Sequence, residues 1–285
     1  MLNNKNILIT GGTGTFGTAF IDRVLKKYPK VNKLVVFSRD EYKQFLLEKK
    51  FPISKYKQMR YFLGDVRDYH RLNQAFKNID IVIHAAALKQ VPAAEYNPSE
   101  FIETNINGAL NVINAAYNNK VKKIISLSTD KASSPANLYG ATKLCSDKLF
   151  ISSNTFFGDK NIKLSVIRYG NVMGSRGSVL PFFLDELKKG NIPITDKRMT
   201  RFNILMDQCL ETTFFAIQNS VGGEMFIPKM PSIKILDLAK SITSQANIKS
   251  IGIRPGEKLH EELISEADSF YTFDFNKYYV MLPSN

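Results

Sequence analysis

Short runs of Ile, Val and Leu recur along the first 170 residues, each followed by a longer stretch with helical spacing. The runs lie at Lys5–Thr10, Asn32–Ser38, Met59–Leu63, Ile79–His84, Val121–Ser128 and Ile162–Ile167. Between them, about Thr15 to Lys27, Arg67 to Lys77, Pro98 to Asn118 and Asn137 to Ser153 read as helices. Strands buried on both faces lose their in–out alternation, so this order predicts an α/β chain with a parallel sheet covered on both sides. After Gly170, glycine, proline and isolated polar residues interrupt the pattern, which points to a smaller lobe over the carboxyl edge of the sheet. Phe182–Lys189 is the one clear helix before Arg201. Thr200–Asn219 reads as helical and is expected to rejoin the main sheet, with further helices at Pro231–Gln245 and His260–Glu266.

At 285 residues, 44% of them hydrophobic, the chain is long enough to bury a large core. No apolar run reaches the roughly 20 residues that span a membrane. Met1–Lys5 leads straight into the first strand with no sign of a signal peptide. Cys145 and Cys209 have no CxxC spacing and suggest reduced thiols, so a cytoplasmic location is expected. His70, His84 and His260 are far apart, and no metal site is expected. The formal charge of +13 does not come from a basic tail, because lysines are spread along the chain and mixed with Asp and Glu. That spread argues against nucleic acid as a partner and suits anionic, phosphorylated ligands.

Thr10-Gly11-Gly12-Thr13-Gly14-Thr15-Phe16-Gly17 follows the first strand and opens the first helix. Gly11, Gly14 and Gly17 let the backbone turn tightly, approach a pyrophosphate and pack helix on strand. The anion then meets free N–H groups at the positive end of the helix dipole. An NAD site usually carries Asp or Glu after the second strand, for the ribose hydroxyls. Ser38-Arg39 stands there instead, and a guanidinium suits the 2′-phosphate of NADP. Asp40 and Glu41 follow directly, so NAD stays open as the less favoured cofactor. Asp65-Val66, after the third strand, is placed to meet the adenine.

Residues 128–143 carry the densest chemistry. Tyr139-x-x-x-Lys143 puts a phenol and an ammonium on one helical face. The cation is expected to lower the phenol's pKa and make Tyr139 a base toward a hydroxyl group. Thr129, Asp130 and Lys131 lie eight to ten residues upstream. Asp130-Lys131 supplies a second acid and a second base, more than an alcohol oxidation requires, so a step beyond redox chemistry is expected. Lys131 without Asp130 would read as a surface lysine, and His84 reads as ordering the turn after the fourth strand. Cys145 and Cys209 read as core packing. Phe270–Phe275 with Tyr278 and Tyr279 reads as packing or subunit contact.

The Gly-x-x-Gly-x-x-Gly fingerprint, Asp80…His84-Ala85-Ala86-Ala87, Thr104-Asn105 and Tyr139-x-x-x-Lys143 together resemble the extended short-chain dehydrogenase/reductase superfamily. The match narrows at Ser38-Arg39-Asp40-Glu41, Gly64-Asp65-Val66-Arg67-Asp68, His84 to Pro92 and Ser128-Thr129-Asp130-Lys131. It continues at Arg168 to Val172, Gly174 to Val179, Met199-Thr200-Arg201-Phe202 and Arg254 to Glu261. These blocks are similar to the inverting UDP-N-acetylglucosamine 4,6-dehydratases, of the type that serves pseudaminic acid biosynthesis. The resemblance runs from about Lys5 to Pro283. Lys131 is its most telling residue: retaining 4,6-dehydratases typically carry Asp-Glu at this point, and epimerases lack the acidic residue.

The resemblance implies a Rossmann-type doubly wound parallel sheet with a smaller C-terminal substrate-binding lobe. Residues 1–170 would form the NADP-binding domain, with 201–220 returning to it, and 171–200 and 221–285 the nucleotide-sugar lobe. It further implies a homo-oligomeric lyase acting on UDP-N-acetylglucosamine. In that reaction Tyr139, helped by Thr129 and Lys143, takes the 4-hydroxyl proton as carbon 4 is oxidised. Lys131 removes the carbon-5 proton and Asp130 protonates the departing 6-hydroxyl. Hydride returns to carbon 6 and carbon 5 is inverted, giving UDP-2-acetamido-2,6-dideoxy-β-L-arabino-hex-4-ulose. By the same resemblance Thr13, Gly14, Thr15, Phe16, Ser38, Arg39, Asp40, Glu41, Tyr42 and Lys43 bind NADP. Asp65, Val66, Ala85, Lys89, Thr104, Tyr139 and Lys143 complete that set. Asn171, Arg176, Gly177, Ser178, Val179, Leu180, Arg201, Arg254 and Glu257 line the nucleotide-sugar site, with Lys89 touching both ligands. A retaining nucleotide-sugar 4,6-dehydratase, a UDP-sugar 4-epimerase and a non-catalytic NADP-binding protein stay open as alternatives. Two places depart from the family pattern: Asn203 stands where relatives often carry a large apolar residue, and Ser133-Ser134-Pro135-Ala136 replaces the more usual Ala-Asn-Pro.

Overall fold

The computed structural model describes residues 1–156, 161–243 and 247–283. The chain runs β1 (Asn6–Thr10), α1 (Thr15–Lys27), β2 (Lys33–Ser38), α2 (Glu41–Lys50), β3 (Met59–Leu63), α3 (Tyr69–Ala75) and β4 (Ile81–His84). Then come α4 (Val91–Tyr96), α5 (Pro98–Ile102), α6 (Gly108–Asn118), β5 (Lys123–Leu127), α7 (Leu138–Phe156), β6 (Lys163–Ile167) and β7 (Asn171–Val172). The remainder holds α8 (Val179–Leu187), β8 (Asn191–Ile194), β9 (Thr200–Ile204), α9 (Met206–Asn219), β10 (Met225–Pro228), β11 (Ser232–Lys234) and α10 (Ile235–Ile242). It closes with β12 (Asn247–Ser250), α11 (Glu266–Ser269), β13 (Thr272–Phe275) and β14 (Tyr278–Met281).

The central sheet has nine strands in the order β13-β14-β10-β6-β5-β4-β1-β2-β3, and the seven from β10 to β3 are parallel. Its strands are apolar on both faces because helices cover both. Ile7 and Ile9 pack with Phe20, Val24 and Phe214 of α1 and α9, and Leu8 with Leu72, Val112 and Phe150 of α3, α6 and α7. Each such fully buried side chain contributes roughly 1.5–3 kcal/mol relative to exposure. A third cluster, built on Phe183, Ile192, Ile194, Met199 and Ile235, holds the smaller lobe together.

The second half of the chain departs from the sequence pattern in three places. Thr200–Asn219 is not one helix: Thr200–Ile204 is a strand paired with β11 and β7, with Arg201 and Asn203 buried in it, and the helix starts at Met206. His260–Glu266 is irregular, because Leu259 and His260 bond sideways to Thr200 rather than along a helix axis. Residues 221–285 do not lie wholly in the smaller lobe, since β10, β13 and β14 extend the main sheet. The cause is packing: Val280 joins the core on one face of that sheet and Met281 the core on the other. The expected helix Pro231–Gln245 is a strand followed by α10, and its end at Gln245 lies outside the described residues.

Candidate active site

Chain order along the sheet reverses between β1 and β4, which opens a crevice beyond their carboxyl ends. Gly11 makes the turn there with φ +67°, and a Cβ on it would sit 2.9 Å from the Ala85 carbonyl oxygen. The backbone therefore approaches in a way that only glycine allows. Helix α1 opens at Gly14 with no side-chain cap, so no side chain occupies its anion-attracting end. Across the crevice Thr10 Oγ1 accepts from Ala85 N at 3.2 Å and Ala86 N at 3.3 Å. Its one proton therefore goes to His84 Nδ1, 2.9 Å away. Burial, then the charge of Lys143, pushes the His84 pKa down to about 3, so this imidazole is neutral and ties β4 to β1.

The crevice continues into a cleft of about 680 Å³ between the sheet and the smaller lobe. At its outer end lie Ser38, Arg39, Asp40, Lys43, Asp65 and Val66. Asp40 caps α2 by accepting from Lys43 N at 2.9 Å and pairs with Lys43 Nζ at 2.7 Å. Arg39 is half exposed and only 3.9 Å from Asp65, whose carboxylate bonds Arg67 more closely at 2.8 Å. In the middle of the cleft Lys89 donates to the Arg176 carbonyl at 3.1 Å, and Arg176 N to Thr15 Oγ1 at 3.3 Å. The smaller lobe thus touches the glycine turn. Burial and the neighbouring Arg176 charge hold the Lys89 ammonium below the ordinary lysine value.

At the inner end, Thr129 caps a single helical turn, Asp130–Ala132. A Cβ on Gly140 would collide with the Lys131 carbonyl oxygen, so glycine lets α7 bring Tyr139 against this turn. Lys131 Nζ lies 3.0 Å from Asp130 Oδ1, 3.5 Å from Asn171 Oδ1 and 3.5 Å from Glu261 Oε1. The expectation that Lys143 lowers the Tyr139 pKa is not met. Burial pushes the phenol up, Thr129 pulls it back through a hydrogen bond, and the Asp130 and Asp147 charges push it further up. Burial pushes the Lys143 ammonium down, with Asp147 opposing. In this desolvated pocket burial favours the neutral form of both groups.

Most of the residues singled out from the sequence line this one cleft: Gly11, Thr13 to Gly17, Ala85, Lys89, Thr104, Thr129, Lys131, Tyr139, Lys143, Asn171, Arg176 to Val179, Arg254 and Glu257. Asp130 is fully buried behind Lys131. It and four others do not line the cleft. Glu41 and the exposed Tyr42 lie on α2 outside the cleft, and Leu180 lies beyond Val179. The Arg201 guanidinium is spent on the Thr200 and Leu259 carbonyls at 2.8 and 3.2 Å. Asn203 is buried and donates to the Arg201 carbonyl at 3.0 Å, so it braces this strand. Cys209 is core, whereas Cys145 is exposed. Gln90, Tyr169 and Met206 line the cleft without having been singled out, and Glu261 reaches Lys131. Only the position of Gln90 and Tyr169 inside the motif blocks could have marked them.

Among the described residues, Thr104 Oγ1, Asp130 Oδ2, Ser178 Oγ, Glu257 Oε2 and Glu261 Oε2 are buried with no hydrogen-bond partner. Unpaired buried polar atoms cost free energy, and of these five Thr104, Ser178 and Glu257 line a cleft sized for ligands while Asp130 and Glu261 adjoin its Lys131.

The profile of a family described as polysaccharide biosynthesis protein matches residues 7–283. A Campylobacter jejuni protein named UDP-N-acetylglucosamine 4,6-dehydratase (inverting) is 54% identical over 100% of this chain and 84% of its own length. A Rickettsia akari protein named UDP-glucose 4-epimerase is 41% identical over 98% of this chain and 83% of its own. Among solved structures, Pen from Bacillus thuringiensis superposes with a TM-score of 0.95 at 41% identity, covering 99% of this chain and 90% of that one.

Proposed function

The chain belongs to the polysaccharide biosynthesis protein family, and we propose that within it the protein is a UDP-N-acetylglucosamine 4,6-dehydratase that inverts carbon 5. The observation that carries this reading is the Asp130–Lys131 pair, 3.0 Å apart at the inner end of the cleft on the turn capped by Thr129, which also bonds Tyr139. A 4-epimerase needs one acid–base group at the 4-hydroxyl; a dehydratase needs two more, at carbons 5 and 6.

The glycine turn and the uncapped α1 fit the pyrophosphate of a nicotinamide dinucleotide, and Thr104 Oγ1 is a buried hydroxyl free to bond it. NADP suits the outer end better than NAD. Asp40 is committed to capping α2, while the Arg39 guanidinium is loosely held and the Ser38 hydroxyl accepts only from Gln44. A nicotinamide held there would supply the hydride acceptor for sugar carbon 4 and the hydride donor for carbon 6, with no net redox change.

Tyr139 accepts the proton of the 4-hydroxyl, with its phenolate stabilised by the hydrogen bond from Thr129. A proton passing from Lys131 Nζ to Asp130 Oδ1 creates an amine and a carboxylic acid together, the base for carbon 5 and the acid for the 6-hydroxyl. Water leaves across carbons 5 and 6, and carbon 5 is reprotonated from the opposite face. Arg176 and Arg254 face the diphosphate, and Asn171 the sugar. The same reading makes the protein a cytoplasmic homo-oligomer that feeds pseudaminic acid assembly.

Incubation with UDP-N-acetylglucosamine in deuterated water, followed by proton NMR, tests it. The expected product is a 6-deoxy-4-keto sugar with an inverted, deuterated carbon 5. A 4-epimer, or a product with carbon 5 retained, overturns the reading in favour of an epimerase or a retaining dehydratase.

A further inference from the structure

Segment 256–262 of the smaller lobe is laced to the catalytic turn at four successive points. Asn137 Nδ2 donates to the Gly256 carbonyl at 2.8 Å, and Lys258 Nζ to the Ser133 carbonyl at 2.8 Å. Glu261 Oε1 meets Lys131 Nζ at 3.5 Å, and Ser134 Oγ donates to Glu262 Oε2 at 2.9 Å. Behind them, Thr200 N donates to the Leu259 carbonyl at 3.1 Å and Thr200 Oγ1 bonds His260 Nδ1 at 2.8 Å, which pins the segment to β9. Glu261 is thereby held in place, with its side chain 3% exposed.

Three of these contacts are tethers with satisfied partners. The Glu261 contact differs. Lys131 already has a fully buried carboxylate, Asp130, at 3.0 Å, so Glu261 is a second buried anion on one ammonium. Asp130 Oδ2 and Glu261 Oε2 are both left without a hydrogen-bond partner among the described residues. A buried, half-satisfied excess anion costs stability, and an apolar side chain of similar size would hold the segment at less cost. The arrangement makes sense if the charge is used.

We propose that Glu261 is a positioning residue for the carbon-5 deprotonation, holding Lys131 Nζ and stabilising the positive charge that grows on it. This rests on the dehydratase reading. Lys131 gives one proton to Asp130 Oδ1 and becomes an amine. That amine takes the carbon-5 proton, the C5–H electron pair becomes the second C5–C6 bond, and the C6–O bond breaks as Asp130 passes its proton to the leaving oxygen. Lys131 ends as ammonium, Asp130 as carboxylate, and Glu261 stays ionised throughout. The anion is thus closest to charge that exists in the transition state and product but not in the amine that reacts.

The test compares wild type, Glu261→Gln, Glu261→Ala and Glu261→Asp, each holding its cofactor and first checked for an unchanged thermal unfolding midpoint. Glu261→Gln keeps the shape of the side chain and removes its charge. It is expected to lower kcat about 10²-fold and leave KM for UDP-N-acetylglucosamine near wild type. It should also enlarge the isotope effect with carbon-5-deuterated substrate and make the near-ultraviolet absorbance of reduced nicotinamide build up, because oxidation at carbon 4 proceeds while elimination lags. Glu261→Asp, which keeps the charge at shorter reach, should recover part of the rate. Glu261→Ala should be at least as slow as Glu261→Gln. Wild-type kcat and isotope effect in Glu261→Gln overturn this proposal alone. So does a fall in kcat with an unchanged isotope effect and Glu261→Asp no better than Glu261→Ala. A wild type that makes only a 4-epimer overturns the dehydratase reading, and this proposal with it.

Discussion

Ser134 sits at φ 41°, in the left-handed region that costs a residue with a Cβ about 1–2 kcal/mol. Asparagine visits that region several-fold more readily than serine. Ser134→Asn is therefore expected to stabilise the folded protein by about 0.5–1 kcal/mol, because the conformational relief exceeds one exposed hydrogen bond to Glu262. Urea unfolding of both proteins measures it, and a lower midpoint for the asparagine variant would show that the Glu262 bond outweighs the strain. Side chains also differ in how far sequence exposes their purpose. Asp130-Lys131 stands out as adjacent opposite charges just upstream of Tyr139-x-x-x-Lys143. Glu261 closes the motif block that starts at Arg254, but nothing in the block says what it touches, because its contact with Lys131 exists only once the lobe folds back across 130 residues of chain. Arg201 errs the other way, because an arginine in a motif block reads as a phosphate ligand until its carbonyl partners are seen.

Strands β1 and β4 meet at the crevice through Thr10 and His84, and that tie is sensitive to acid. Burial lowers the His84 pKa from 6.5 to about 3 in the folded chain. Below pH 6.5 the unfolded chain binds a proton that the folded one refuses, so the stability is complete above about 6.5 and is lost as the pH falls toward 3. Between pH 7 and pH 5 the loss from this residue is about 2 kcal/mol. Unfolding free energies of wild type and His84→Gln at the two pH values isolate it, since the variant should lack that component; parallel losses would remove His84 as the cause. The first six strands are legible because each is a continuous apolar run between glycines or helical stretches, a pattern that a sheet covered on both faces imposes. From β7 onward the strands are two to five residues long and, β10 apart, only partly buried, so tertiary pairing rather than local pattern decides them. Thr200–Ile204 shows the difficulty: Arg201 and Asn203 are buried in it along with Ile204, while Phe202 is only partly buried, which a polarity pattern does not expect.

Across the whole molecule the formal charge is +13, and its effect depends on where field lines converge. The cleft is lined by seven cationic side chains, Arg39, Lys43, Lys89, Lys131, Lys143, Arg176 and Arg254, against three acidic ones, Asp40, Asp65 and Glu257. A concave, low-dielectric wall of net positive charge draws in a nucleotide diphosphate more strongly than the same charges would on a convex surface. The charge spread over the rest of the chain adds a long-range pull that salt removes first. Raising ionic strength from about 0.01 M to about 1 M shrinks the screening length from about 30 Å to about 3 Å. KM for UDP-N-acetylglucosamine is expected to rise about tenfold over that range. By contrast kcat should change little, since Asp130, Tyr139, Lys143 and Glu261 are buried and Lys131 is 3.0 Å from its partner, well inside the shortest screening length. Steady-state kinetics across a salt series separate the two parameters. A constant KM would mean that hydrogen bonds to the diphosphate carry the binding and the surface charge does not. A kcat that falls with salt at constant KM would mean that the catalytic cluster is open to solvent ions when substrate is bound, contrary to its burial here.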